Sequence, residues 1–103
     1  MGYETNFQVE CSNGDVLDQF EEDVTYIFEK YKDTLFLYSI KWYSCFDDAK
    51  RISNKFPNDL IIIYGQGEDG LDDIWKAYFK YGQIQLEKAV ISYDAFDEDK
   101  LKD

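Results

Sequence analysis

Residues 65–70, with the sequence GQGEDG, have the glycine spacing of a loop that could hold a phosphate group. A GxGxxG sequence after an apolar strand is typical of dinucleotide-binding proteins. Such a loop binds phosphate through backbone N–H groups at a helix N-terminus, where carboxylates would repel the anion. Four acids crowd this segment: Glu68, Asp69, Asp72 and Asp73. The sequence therefore predicts a glycine-bearing connection between two strands and not a nucleotide site.

The chain contains no histidine, the side chain that most often serves as a general base or metal ligand. Nucleophilic sites that pair Ser or Cys with His are excluded by this composition. Cys11 and Cys45 are too few to hold zinc without histidine. We expect both to be buried structural thiols without a disulfide. We therefore predict a protein that is not an enzyme and needs no cofactor or metal.

The charge is strongly unbalanced, with 22 Asp and Glu against 11 Lys and Arg and a net charge of −11. Such a chain is repelled by nucleic-acid backbones and anionic membranes, so we expect a basic protein partner and no direct binding to nucleic acid or membrane. No apolar run approaches the roughly 18 residues that span a bilayer. Without a secretory leader, the sequence predicts a cytoplasmic protein. The 18% aromatic content indicates a folded domain.

The first elements are read from periodicity. Residues 3–11 alternate apolar and polar positions, as in a strand with one buried face. After a turn at Asn13-Gly14, Asp15 can cap a helix whose apolar positions recur with helical spacing from Val16 to Tyr31. The opposite face of this predicted helix carries Asp15, Asp18, Glu22 and Glu29. Residues three or four apart on a helix lie about 5–6 Å from each other, so these acids would form a row of negative charge.

The remaining elements complete the order β-α-β-α-β-β-β. We predict a strand over 35–42, a basic helix over 45–56 that ends before Pro57, and strands over 60–64 and 74–81. A turn at Gly82-Gln83 would lead into a last strand that extends towards Tyr93. Residues 94–103 read as an acidic tail, frayed or with a short helical end. The sequence thus predicts one α+β domain over residues 1–103.

Four stretches resemble a pattern found in small acidic proteins of phages and prophages: 40–43 (IKWY), 56–60 (FPNDL), 65–69 (GQGED) and 73–82 (DIWKAYFKYG). They cover less than half of the chain. The same layout, with a Trp-bearing strand, a helix ending at Phe-Pro and a Tyr-Phe strand ending at Gly, also resembles the ferredoxin-like domain of plasmid- and phage-borne proteins. The resemblance implies a mobile-element origin and a ferredoxin-like fold, a single mixed or antiparallel sheet with two helices on one face. It implies no catalytic residue.

A row of carboxylates can imitate a phosphate backbone, and small acidic phage proteins often inhibit host restriction enzymes or CRISPR nucleases. We therefore expect an inhibitor that binds a basic, nucleic-acid-handling host protein, with a CRISPR effector nuclease as the first candidate. One predicted surface comprises Asp15, Asp18, Glu22 and Glu29. The other comprises Glu68, Asp69, Asp72 and Asp73.

Two other classes of function stay open. The Gly65–Asp73 loop could serve a small-ligand or metal-binding module, although its acids do not follow the EF-hand order. The chain could also be a structural or regulatory homo-oligomer that pairs through an edge strand. The sequence leaves the oligomeric state open. A charged face is also common on soluble helices with no partner.

Overall fold

The computed structural model describes residues 3–26 and 28–103, with the side chains of Leu71 and Asp72 outside the described part. In this part the strands are β1 (Thr5–Glu10), β2 (Glu29–Tyr31), β3 (Thr34–Ile40), β4 (Ile61–Gln66), β5 (Ile74–Lys80) and β6 (Gln83–Lys88). The α-helices are α1 (Gly14–Asp23) and α2 (Cys45–Lys55), and short 3₁₀ turns cover Gly70–Asp73 and Glu98–Lys100. No helix among these residues is long and apolar enough to cross a membrane.

The described strands form one antiparallel sheet in the order β2-β3-β1-β4-β5-β6. β1 lies between β3 and β4 and pairs with both. Because β2 and β1 are each antiparallel to β3, they run parallel to each other, and α1 is the crossover between them. By the same argument, α2 connects the parallel strands β3 and β4 around β1. The α+β class with one sheet and two helices is confirmed.

The core lies between the two helices and one face of the sheet. On β1, Phe7 and Val9 are buried while Gln8 between them is exposed, which is the alternation that the sequence predicted. The helices contribute buried apolar side chains such as Phe20 and Ile52 to the same cluster. The other face carries no helix in the described structure, and we call it the open face. Its members on β1, β3, β4, β5 and β6 include Asn6, Gln8, Phe36, Tyr38, Ile62, Tyr64, Ile74, Lys76, Tyr78, Lys80, Gln85 and Glu87.

The first helix is shorter than predicted, because it ends at Asp23 and not at Tyr31. Its N-cap is Asn13, whose side chain accepts a hydrogen bond from the backbone N–H of Asp15 at 3.0 Å. Residues 29–31 form the edge strand β2 instead, in a hairpin with β3 whose turn includes Lys32 at a φ of 55°. Pairing with β3 therefore overrides the helical spacing of the apolar residues.

The end of the chain also differs from the prediction. The predicted order of elements along the chain had no strand between the two helices other than β3. The structure adds β2 there, so the observed order of strands differs from the predicted one. The last strand ends at Lys88, and Val90 and Tyr93 lie outside the sheet. The predicted hairpin between β5 and β6 is confirmed, with Tyr81 and Gly82 at the turn in left-handed conformations (φ of 56° and 69°). Glycine fits this turn for a second reason, since a Cβ there would collide with Asn54.

Candidate partner-binding surfaces

The acids of α1 are held at the surface by the packing of the opposite side of the helix. Val16, Leu17 and Phe20 are fully buried in the core. This orientation leaves four acids exposed, Asp15, Asp18, Glu21 and Glu22, which we call the α1 acidic row. Sequence reasoning had omitted Glu21 because it lies beside the chosen arc, although its position next to Glu22 could have indicated it. The helix itself contains no Lys or Arg.

The α1 acidic row is only weakly neutralised. Lys30 Nζ lies 3.6 Å from Asp18 Oδ1, with the two side chains 43% and 68% exposed. Such exposed pairs contribute little stability and are screened by salt. The basic residues of α2 are directed elsewhere, since Arg51 and Lys55 lie 3.6 and 3.7 Å from Asp23 at the end of α1. The row thus keeps most of its negative field.

Glu29 does not belong to this row, contrary to the prediction. It lies on β2 opposite Phe36, and cross-strand partners share a face of the sheet, so Glu29 lies on the open face. Its neighbour Lys30 is on the helix side, where it reaches Asp18. The prediction failed because it extended α1 through residues that pair with β3.

The second predicted acidic surface is the loop after β4. Glu68 and Asp69 are exposed and Asp73 is half-buried, while the side chain of Asp72 lies outside the described residues. The hydroxyl oxygen of Tyr3 accepts hydrogen bonds from the backbone N–H groups of Glu68 (2.6 Å) and Asp69 (3.0 Å). These are the N–H groups that a phosphate-binding loop would direct at its ligand. With Tyr3 in place they are already used.

The two acidic surfaces are separate. The loop follows Gln66, which pairs with Asn6 near the start of β1. The first turn of α1 follows Glu10 at the other end of β1. Asp15 and the loop acids therefore lie at opposite ends of the sheet. Among the residues that the structure describes, no group of three or more Asp, Glu or Cys side chains is placed to hold a metal ion.

Comparisons with known proteins assign no family. No family model matches the sequence, and neither curated proteins nor solved structures give a match.

Asp48 is the centre of a hydrogen-bonded cluster that the sequence did not reveal. Its Oδ2 accepts from Trp42 Nε1 and Ser44 Oγ, each at 2.8 Å, and its Oδ1 accepts from Arg51 Nη1 at 3.0 Å. Burial alone would raise the pKa of Asp48, but the bonds from Trp42, Ser44 and Arg51 outweigh it and lower that pKa. A carboxylate held ionised in this way is a poor general acid. It positions Trp42 and Arg51 instead.

The two cysteines are buried and free, as predicted. Burial raises the pKa of both Cys11 and Cys45, and the nearby charge of Asp48 adds to the effect at Cys45. Because the thiolate is the reactive form, neither side chain is suited to be a nucleophile.

The open face carries an aromatic and basic patch on β4 and β5. Lys76 Nζ lies 5.1 Å from the centre of the Tyr64 ring and 4.9 Å from that of Tyr78. A groove of about 220 Å³ runs beside Tyr64 and is also lined by Tyr38 and Trp75. On the helix side of the sheet Trp75 covers Gly65, where a Cβ would collide with the indole ring. Sequence reasoning missed this patch because it depends on the register of neighbouring strands.

Proposed function

We propose that the protein is a non-enzymatic inhibitor that binds a basic, nucleic-acid-handling protein through the α1 acidic row. The observation that carries the proposal is the exposure of Asp15, Asp18, Glu21 and Glu22 on one ten-residue helix that contains no basic residue. Like charges at this spacing cost helix stability. A partner with rows of Lys or Arg would offset that cost.

The row matches a basic groove in charge and in length. Proteins that neutralise phosphates with Lys and Arg gain affinity from the release of counterions, and a rigid row of carboxylates can supply the same attraction. A ten-residue helix is about 15 Å long, which corresponds to about four nucleotides of one DNA strand. Glu68 and Asp69 at the other end of the sheet would extend the contact into a second part of the groove.

The resemblance to phage and prophage proteins directs the search to defence enzymes in the host cytoplasm, with a CRISPR effector nuclease as the first candidate. We also infer that the first four strands are ferredoxin-like. The order β2-β3-β1-β4, with α1 and α2 as crossovers, supports this inference. On this view β5 and β6 extend the sheet at one edge.

The test is a pull-down from a bacterial lysate that contains a CRISPR effector, at low and high salt, with retained proteins identified by mass spectrometry. The row variant carries Asp15→Lys, Asp18→Lys and Glu22→Lys. A control with the same change in charge carries Glu29→Lys, Asp47→Lys and Glu87→Lys, which are exposed and scattered. Asp47 in the first turn of α2 matches Asp15 in the first turn of α1.

We expect the wild type and the control to retain a basic nuclease that competitor DNA and salt displace, and the row variant to lose it. Retention by the row variant at the wild-type level would show that α1 is the wrong surface. Recovery of nothing beyond the bait would overturn the inhibitor proposal for that host.

A further inference from the structure

The C-terminal segment 89–103, which we call the tail, leaves the body of the protein with its apolar side chains uncovered. It is held to the sheet at Ala89, whose N–H donates to the carbonyl of Ile74 at 2.9 Å. Beyond this point Val90, Tyr93 and Phe96 are 86%, 89% and 79% exposed. Large apolar side chains gain about 1.5–3 kcal/mol each when they are buried. A segment with this composition therefore has a strong tendency to dock.

The molecule as a whole is elongated. The radius of gyration is 16.8 Å, whereas a compact domain of this length has about 13 Å. The principal extents of 55 × 36 × 24 Å describe an elongated particle. The exposure of Val90, Tyr93 and Phe96 shows that the sheet of the same chain does not cover these side chains.

The open face offers a complementary site. Grooves of about 220, 430 and 260 Å³ lie along β4, β5 and β6, and each has Tyr64 or Tyr78 in its wall. Side chains the size of Tyr93 and Phe96 fit grooves of these dimensions. In the described structure no helix covers this face, and the aromatic rings of Phe36 and Tyr38 add to its apolar area.

The tail and the β5 strip of the open face carry opposite charges, while the acids Glu10 and Glu29 of this face lie on β1 and β2, on the other side of β4. Five acids and two lysines make the tail acidic over residues 94–103. On the open face β5 contributes Lys76 and Lys80, each with its Nζ over a tyrosine ring. Glu87 lies across from Lys76, but its carboxylate also accepts a hydrogen bond from Gln85 at 3.0 Å. The basic strip on β5 thus faces outwards towards a docking segment.

We propose that the protein forms a dimer in which the tail of each copy docks on the open face of the other. Tyr93 and Phe96 fill the aromatic grooves, and the acids beside them meet Lys76 and Lys80. The arrangement is self-complementary, as a two-fold dimer requires. A tail and a face together supply about 20–30 residues from each copy, which is the usual size of a stable interface. A nucleic-acid strand is the weaker occupant because the net charge of −11 repels it.

A charge-swap experiment on the full chain tests the dimer. The face variant carries Lys76→Glu and Lys80→Glu, and the tail variant carries Asp94→Lys and Asp97→Lys. The control, Lys41→Glu with Lys50→Glu, makes the same change in charge as the face variant at residues outside the open face. The mass of each protein is measured by sedimentation equilibrium, and circular dichroism checks that each is folded.

The wild type and the control should sediment with twice the mass of one chain. Each swap variant should dissociate at least about tenfold more readily, because like charges across an interface are strongly unfavourable. A mixture of the two variants should form a 1:1 dimer, since each acidic face then meets a basic tail and each basic face an acidic tail.

Any of four outcomes would overturn the proposal. The wild type could be monomeric, as it would be if the tail bound its own sheet or another protein. The swap variants could stay dimeric, which would place the interface elsewhere, for example along β6. Folded variants could also fail to associate when mixed. A fourth variant, Tyr93→Ser with Phe96→Ser, should be monomeric without any change in charge, and a dimer of this variant would equally contradict the proposal.

Discussion

At the scale of single residues, the most demanding environment is that of Asp48. Its two carboxylate oxygens accept hydrogen bonds from the indole N–H of the buried Trp42, the hydroxyl of Ser44 and the guanidinium group of Arg51. Because one side chain holds donors from a loop and from α2, its chemistry affects the stability of both.

Replacing Asp48 with Asn should lower the free energy of unfolding at neutral pH by about 1–3 kcal/mol. The substitution exchanges one accepting oxygen for an NH₂ group, which cannot accept a hydrogen bond from Trp42, Ser44 or Arg51. The pKa of Asp48 is lower in the folded state, so its contribution is present above the unfolded value near 4 and is lost as pH falls through the folded value. The free energy of unfolding of Asp48→Asn should not show this decrease at acidic pH. Urea unfolding at neutral and acidic pH measures both effects, with Asp47→Asn as the exposed control. An equal acid dependence in Asp48→Asn and wild type would contradict the assignment.

At the scale of elements, α1 combines a well-packed inner side with an outer side whose carboxylates repel one another. Asp18 and Glu22 are four residues apart, and Asp18 and Glu21 are three apart. The dipole of the helix favours Asp15 in the first turn, but the last turn has no basic residue, where a cation would be favoured. Its outer surface is therefore not optimised for stability.

Glu22→Lys should stabilise the protein by roughly 0.5 kcal/mol, since an attractive pair with Asp18 replaces a repulsive one. The same substitution should weaken binding to a basic partner. Denaturant unfolding and the pull-down measure the two effects on one protein. Glu22→Gln is the control, because it removes the repulsion from Asp18 without adding an attraction. Its free energy of unfolding should lie between those of the wild type and Glu22→Lys. A destabilised Glu22→Lys with intact binding would argue against the proposed role of the row.

At the scale of the whole molecule, the net charge of −11 is carried by a body only 24 Å thick in its shortest dimension. At about 0.01 M salt the Debye length is about 30 Å, so charges repel one another across the thickness of the molecule. At about 0.15 M it falls to about 8 Å, and only near neighbours interact. Ionic strength should therefore act on the fold as well as on partners.

Raising sodium chloride over this range should increase the melting temperature, with about 1 kcal/mol of relieved repulsion corresponding to roughly 4–8 °C. Differential scanning calorimetry measures the shift. The row variant Asp15→Lys, Asp18→Lys and Glu22→Lys is less negative and should respond less to salt. A melting temperature that falls with salt would mean that ion pairs such as Arg51 with Asp48 dominate over the net repulsion.

Much of the fold was predictable where local pattern and tertiary contacts agree. The alternation along β1, the apolar run of β4 and the stop of α2 before Pro57 are encoded by nearest neighbours, and the structure confirms each element within a few residues. The exposure of Asp15, Asp18 and Glu22 was predictable for the same reason, because the spacing of Val16, Leu17 and Phe20 fixes which side of α1 is buried.

By itself the sequence determined the class of the fold, the charge and the absence of histidine chemistry, since these follow from composition and from short-range periodicity. Only the tertiary structure decided that Glu29 lies on a strand, that Tyr3 occupies the amides of the glycine loop and that Lys76 lies between two tyrosines. Each of these depends on strand pairing or on a contact between distant parts of the chain. Such contacts are worth more than local propensity, and no window of neighbouring residues records them.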